Sequence, residues 1–535
     1  MPASSISLPW LNIPKTAQPG QLHAFTDREA QLAQLYLGLV ETGNAVRRGV
    51  KLLRHQVLVS GYMGVGKSAL ILQALYLLRG ELRPEKGLPP IGQRWSFAQD
   101  TPYPENPEKW IVLRFSGKQI VHIDLLSDEI CKAVIEEKTA DQAARTGGKV
   151  PSDFLLQLFD DFAVDAGPQV AQALPLTLLH RLLRTTDAKA YAAIHAALDT
   201  LVETIRWIKR WRGSKLTETL KTTQKIDKGT DIEAKLLAQV GQKPSDLNPI
   251  QKASLSLAAN SLYKNASSLE STTSVDKTST VDVQLTVDLL NDFFRATEAA
   301  NLPTILVLDD LDEFASTAGP SHDNRARVLS WILGPILKLR PTFLILALRG
   351  EYVHEDLLRS MAKCPVPPMK KRDVAPLVEA WCEVQTPAVP PDAVKRLVEL
   401  ALQIVAPFAD EDLCVIPARL LEFVVWRANQ LRLEPARSSP RPPFELLSQF
   451  IEENFGSSAV RAVLRLVNSL DPETRNRCVA SEPVAASELA IPSRDRKELE
   501  KVGLLRPALA GDADADDIVI DPLCGYLHAA QKTTA

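Results

Sequence analysis

Eight consecutive residues, Gly61-Tyr62-Met63-Gly64-Val65-Gly66-Lys67-Ser68, set glycines, a lysine and a hydroxyl at the spacing GxxxxGK[ST]. Glycines in these places let backbone N–H groups turn inward around an anion, and the start of a helix adds positive potential there. Lys67 is then expected to reach the β- and γ-phosphates of a nucleotide, and Ser68 to put its hydroxyl on Mg2+. Gly61 through Ser68, with Ala69, form the expected phosphate cradle. A second cluster lies in TILVLDDLDE, residues 304–313. Asp309 is expected in the Mg2+ shell. Asp310 falls on the other side of the strand end, where a carboxylate can polarise an attacking water. Asp312 and Glu313 are open to a blander reading, as caps of a following helix.

The chemistry needs these groups on fixed elements. HQVLVS, before the glycines, is a β-branched apolar run and reads as a strand; SALILQALYLLRG, after them, is apolar at helical spacing. TILVL is apolar throughout and bounded by Pro303, as a strand buried on both faces would be. RPTFLILALRGEY, residues 340–352, reads as a further buried strand ending in Arg349.

Composition excludes several classes. With 535 residues, 45% hydrophobic and 24% charged, the chain has the make-up of a multidomain globular protein. Its net charge of −3 gives no global attraction to nucleic acid or anionic lipid. The six cysteines show no CxxC pair, which argues against zinc and against a disulfide framework, and for reduced thiols in a cytoplasmic protein. The N-terminal residues lack the basic and apolar regions of a secretory signal, and no apolar run reaches the ~18 residues of a membrane span. About 240 residues separate the two motifs, unlike a compact small-metabolite kinase. The base-reading NKxD string of GTPases is absent; Gln224-Lys225-Ile226-Asp227 lacks the Asn and precedes the acidic strand.

Upstream of the glycines, AFTDREAQLAQL (Ala24 to Leu35) resembles the F-x-GRE-x-E-L box of AAA+ initiators of the origin-recognition type and of STAND signalling ATPases. Asp27 replaces the usual Gly, while Arg28 and Glu29 match. The resemblance implies an adenine pocket containing Arg28, hence ATP, with Mg2+. It also implies that Arg349 ends a sensor 1 strand, where STAND proteins usually carry Arg and initiators Asn; a lone Arg at a strand end is also a common surface residue. Pro417-Ala418-Arg419, opening an apolar helix, looks like the sensor 2 motif of AAA+ lids or the GxP motif of STAND proteins, with Val415 in place of the Gly. Arg419 would then read the γ-phosphate from the lid. The bland alternative is a first-turn proline followed by a solvated arginine. Arg359 is the candidate for an Arg finger.

These readings give an α/β, AAA+-like P-loop core with a parallel sheet, a large helical insertion, a helical lid and a C-terminal winged helix. The boundaries are 1–139 for the N-terminal segment and first half of the core, 140–285 for the insertion, 286–365 for the second half, 366–432 for the lid, 433–455 for a Pro/Ser/Arg linker and 456–535 for the winged helix. In that last unit SSAVRAVLRLVNSL and VAASELA read as helices, a third helix runs from Pro492 to Gly503, and an acidic turn joins two strands of a wing.

Within the insertion, residues 205–228 are basic around Trp207 and Trp211, four apart on one helix face. Arg206, Lys209, Arg210, Arg212, Lys215, Lys221, Lys225 and Lys228 supply the charge. Three readings stay open: a nucleic-acid surface with stacking tryptophans, a partner or membrane-surface helix, and a core-facing Trp pair with a solvated rim. The acidic wing tip argues against docking of the winged helix on phosphates. The functional expectation is a nucleotide-dependent conformational or assembly switch with a protein partner or homo-oligomer, in a class that by analogy often serves antiphage defence or mobile-element control. A DNA-transaction ATPase and a non-hydrolysing scaffold are the alternatives.

Overall fold

The structure is a computed structural model. It describes residues 28–50, 55–79, 104–105, 110–116, 229–240, 243–268, 283–309, 333–349, 361–383, 389–406, 414–433, 442–480, 482–507 and 517–534, with isolated positions between. Helix α1 (Glu29–Arg47) buries Leu32, Leu35, Tyr36, Leu39 and Val40, one stripe at helical spacing. Strand β1 (His55–Gly61) leads through the glycine loop into α2 (Lys67–Arg79), which buries Leu70, Ile71, Ala74 and Leu75. Then come β2 (Ile111–Ser116), α3 (Gly229–Val240), α4 (Pro249–Ser268), α5 (Val283–Ala299), β3 (Thr304–Asp309), β4 (Phe343–Arg349) and β5 (Ala362–Pro365).

The five strands form one sheet in the order β2-β3-β4-β1-β5, every pair parallel. Each residue of β3 is buried, as an apolar strand covered on both faces should be. Because the sheet is parallel, the carboxyl ends of β1, β3 and β4 lie at one edge. Register puts Gly61 opposite Arg349, and Asp309 opposite Ser116. β1 and β3 are not neighbours; β4 lies between them.

Beyond the sheet, β6 (Met369–Lys370) pairs antiparallel with β7 (Cys414–Val415) and closes a loop holding α6 (Val374–Glu383) and α7 (Pro391–Val405). That clamp delivers α8 (Pro417–Leu433) to the glycine loop. Next are α9 (Pro443–Phe455), α10 (Ser457–Ser469), α11 (Pro472–Ala480), β8 (Pro483–Ala485), α12 (Ser493–Lys501), β9 (Leu505–Pro507), β10 (Asp517–Ile520) and α13 (Pro522–Thr534). Strands β8, β10 and β9 form an antiparallel sheet in that order.

One apolar core runs through this whole C-terminal half, from Val378 and Leu397 through Phe423 and Leu447 to Ile520 and Leu527. Phe423 meets Phe450 edge-on at 5.7 Å, and Phe408 meets Tyr526 at 6.2 Å.

Two local expectations are corrected. Within the stretch read as a linker, residues 443–455 form α9, whose Leu446, Leu447, Phe450 and Ile451 are buried; prolines at its start fit a first helical turn as well as they fit a loop. VAASELA is not a helix: Val484 pairs with Ile518 in the small sheet, and only Ala486–Glu488 makes a single 3-10 turn. The second helix of that unit is α11 instead. The described cysteines Cys364, Cys382, Cys478 and Cys524 are buried free thiols, and burial pushes Cys364 up to about 11 and Cys478 to about 12.

Candidate nucleotide site at the sheet edge

The glycine loop can take its path only because its glycines lack side chains. Gly64 and Gly66 hold φ of 83° and 102°, which L-residues rarely adopt. A Cβ on Gly61 would come within 2.6 Å of the Val366 carbonyl oxygen, and one on Gly64 within 2.9 Å of Ala418 Cβ. The loop is therefore sandwiched between the chain leaving β5 and the first turn of α8. Val65 joins the sheet core with Leu32, Val366 and Ile416.

Lys67 opens α2. Its ammonium donates to the carbonyls of Gly61 at 2.9 Å and Tyr62 at 3.1 Å, so the charge lies over the loop. The first N–H groups of any helix have no partner within it, and in α2 they belong to Lys67, Ser68 and Ala69, beside that charge; the regular ladder begins with Leu70 N–H donating to Gly66. Ser68 Oγ donates to Asp309 Oδ1 at 3.1 Å, across 241 residues of sequence. Asp309 is 1% exposed. Two adjacent oxygens of an octahedral Mg2+ shell lie ~2.9–3.0 Å apart when each is ~2.0–2.1 Å from the metal. The Ser68–Asp309 pair is spaced to fit that shell.

Arg349 ends β4, partly buried, beside Gly61. Arg28 is 4% exposed at the N-terminus of α1, its carbonyl accepting from the Leu32 N–H at 2.9 Å. Tyr62 and Ala69 pack at the margin of the sheet core. Helix α8 meets the loop through its backbone: Ala418 N–H, a first-turn donor with no intrahelical partner, donates to Gly64 O at 3.3 Å.

Arg419, expected to read the γ-phosphate, lies in the first turn of α8 and is bonded to carboxylates. It donates to Glu422 at 2.6 Å and to Asp521 at 2.9 Å, the latter in the C-terminal unit. Burial lowers its affinity for the proton, but the two carboxylates outweigh burial and raise it. Asp521 was not anticipated. IVIDP, between a strand and a proline-started helix, signals only an N-cap, and Asp521 does accept from the Leu523 N–H at 3.1 Å.

Asp310, Asp312, Glu313 and Arg359 lie outside the described residues. So does the basic stretch 205–228 apart from Trp207. Trp207 is 1% exposed, so it packs inside the protein and is not a stacking platform for bases. In α12 and its neighbours, charged groups pair within the unit: Arg496 with Glu500 at 2.9 Å, Arg465 with Asp495 at 2.6 Å.

Among solved structures the chain is similar to the Aeropyrum pernix ORC1 protein in complex with DNA, at 12% identity over 96% of this chain and 95% of that one, with a TM-score of 0.29. No family model and no curated protein matches it. No described helix is long and apolar enough to cross a membrane.

Proposed function

We propose that the chain is an ATP-binding, Mg2+-dependent P-loop ATPase of the AAA+/STAND kind, working as a nucleotide-dependent conformational or assembly switch. The observation that carries this reading is the 3.1 Å contact between Ser68 Oγ and the buried Asp309 carboxylate, at the sheet edge where the glycine loop opens. Ser68 and Asp309 would hold the cation, which would supply neutralisation of phosphate charge. Lys67 needs only to turn from two loop carbonyls to a phosphate. Arg349, beside Gly61, adds positive charge at the same edge. Asp310, the residue after Asp309, is assigned the polarising of water.

Helices α6 to α8 are read as the lid, since β6–β7 brings α8 against the loop. The order α10, α11, β8, α12, β9, β10 supports a winged helix. Its internal ion pairs and the burial of Trp207 favour a protein partner or a second copy of the chain over nucleic acid.

The test is nucleotide binding and hydrolysis by the full chain. Lys67→Ala is expected to weaken ATP binding by ~100-fold, a loss of ~2.7 kcal/mol. Asp310→Ala is expected to bind ATP but hydrolyse it ~10²–10⁴-fold more slowly, and to form a defined multimer with Mg-ATP but not Mg-ADP. Wild-type turnover no higher than that of Lys67→Ala would leave a scaffold, and a mass unchanged by nucleotide would remove the assembly mechanism.

A further inference from the structure

Asp521 sits at a junction. It follows the buried strand β10 and caps α13 through Oδ1, while Oδ2 accepts from Arg419. It is 6% exposed, and its second cationic neighbour, Arg506, stands 3.9 Å away. Arg419 is in turn bonded to Glu422, with the Phe455 ring 5.9 Å from its guanidinium carbon. Its strong acceptors are therefore both carboxylates, one on its own helix and one on the far unit.

The location gives this pair a consequence. A small cleft is lined by Tyr62, Met63 and Gly64 of the glycine loop together with Arg419, Arg506 and Asp521. The arginine of α8 thus stands beside the loop that would hold a nucleotide's phosphates, already bonded to a carboxylate. Carboxylate and phosphoryl oxygens present the same fork to a guanidinium, so one can replace the other.

We propose that Asp521 is a positioning residue for the nucleotide: it competes with the terminal phosphate of a bound nucleoside triphosphate for Arg419, and so sets the site's preference between triphosphate and diphosphate. The inference rests on the nucleotide reading above. A diphosphate offers Arg419 no terminal phosphate and leaves the pair intact. A triphosphate draws Arg419 away, and Arg506 is near enough to take over the Asp521 charge. A ligand moves such an equilibrium only by its differential affinity for the two states, and the terminal phosphate supplies that difference.

The experiment is calorimetric titration of the full-length chain with a non-hydrolysable ATP analogue and with ADP, each with Mg2+. The Asp521→Asn variant keeps the Oδ1 acceptor for the α13 cap and removes the charge. The triphosphate-to-diphosphate affinity ratio is expected to rise at least ~5-fold, through tighter triphosphate binding with ADP affinity unchanged. In Asp521→Asn combined with Arg419→Ala the gain should vanish. Equal shifts for both nucleotides, or a lowered melting temperature with the ratio unmoved, would assign Asp521 a structural role and overturn the proposal. Should Asp521→Asn not fold, Glu422→Gln removes the other competing carboxylate; its ratio must also rise, and an unchanged ratio overturns the proposal. A wild-type chain that binds neither nucleotide fails at the underlying reading, whereas one that binds both and ignores these substitutions fails at this inference alone.

Discussion

Lys67 of the glycine loop and Arg419 of α8 are held in contrasting ways. Lys67 is bonded to two uncharged carbonyls of its own loop. Arg419 is bonded to two carboxylates, one of them in a different part of the fold. Breaking a buried ion pair costs ~3–5 kcal/mol when one partner is left alone. The loop cation is thus ready for an anion, whereas the helix cation is available only on condition that a carboxylate lets go. On the proposed reading, the sheet edge binds and the joint with the C-terminal half responds.

The contact between the two regions is the place to break that contrast most severely. Gly64 has φ of 83° and carries no side chain because Ala418 stands where a Cβ would need to be. Gly64→Val forces a β-branched residue into a conformation costing ~1–3 kcal/mol and drives it against α8. Nucleotide affinity should fall by ~10-fold or more and the melting temperature should drop, since loop and helix share the damage; calorimetry and thermal unfolding read the two effects. An unchanged affinity would show that the loop does not depend on α8. Ser68→Ala acts on the sheet edge alone. It removes a donor to the buried Asp309, a loss of ~1–3 kcal/mol. Mg-ATP affinity should fall ~10-fold while metal-free nucleotide binding stays near wild type. Equal losses with and without Mg2+ would remove Ser68 from the metal shell.

The same contrast explains what could be read from the sequence. The loop and the acidic strand were legible because each is local: eight contiguous residues fix the loop, and an unbroken apolar run fixes a strand buried on both faces. Their meeting, Ser68 to Asp309, follows once both strands are placed in one parallel sheet. The Arg419–Asp521 pair spans 102 residues, and each end already satisfied a local explanation, a first helical turn for one and an N-cap for the other. Nothing in either pattern points to the other. Trp207 shows a related ambiguity. Spacing put it on a helix face with basic neighbours, and both a stacking surface and a core contact share that spacing; its burial decides. Helix α9 was missed because prolines and arginines just before it have the composition of a linker, while the apolar stripe Leu446, Leu447, Phe450, Ile451 lies on the other side of them.

Smaller effects sharpen the comparison by touching one region without the other. Tyr526 is fully buried in the C-terminal core, its hydroxyl has no hydrogen-bond partner among the described residues, and burial foremost, then Asp521, raises its pKa. Tyr526→Phe removes an uncompensated polar group and keeps the ring that meets Phe408. Unfolding free energy should rise by ~1 kcal/mol with nucleotide affinity unchanged. A loss of stability would mean that the hydroxyl is paired in solution.

His55 offers the corresponding test in the sheet. It starts β1, at the end opposite the glycine loop, stacked on Phe343 at 4.9 Å. Burial lowers its pKa below 6.5, with Glu41 opposing. A depressed folded-state pKa favours the neutral ring, so the contribution is complete above the unfolded value of 6.5 and is lost as pH falls through the folded one. The ring is partly exposed, so the effect is small. Between pH 7 and 5 the wild type should lose slightly more stability than His55→Gln, and the two should bind nucleotide alike at pH 7. Parallel pH profiles would show that burial does not penalise the charged ring. Altered nucleotide binding would show that the two ends of β1 are coupled, and that the sheet edge is less independent of its surroundings than the geometry around Lys67 implies.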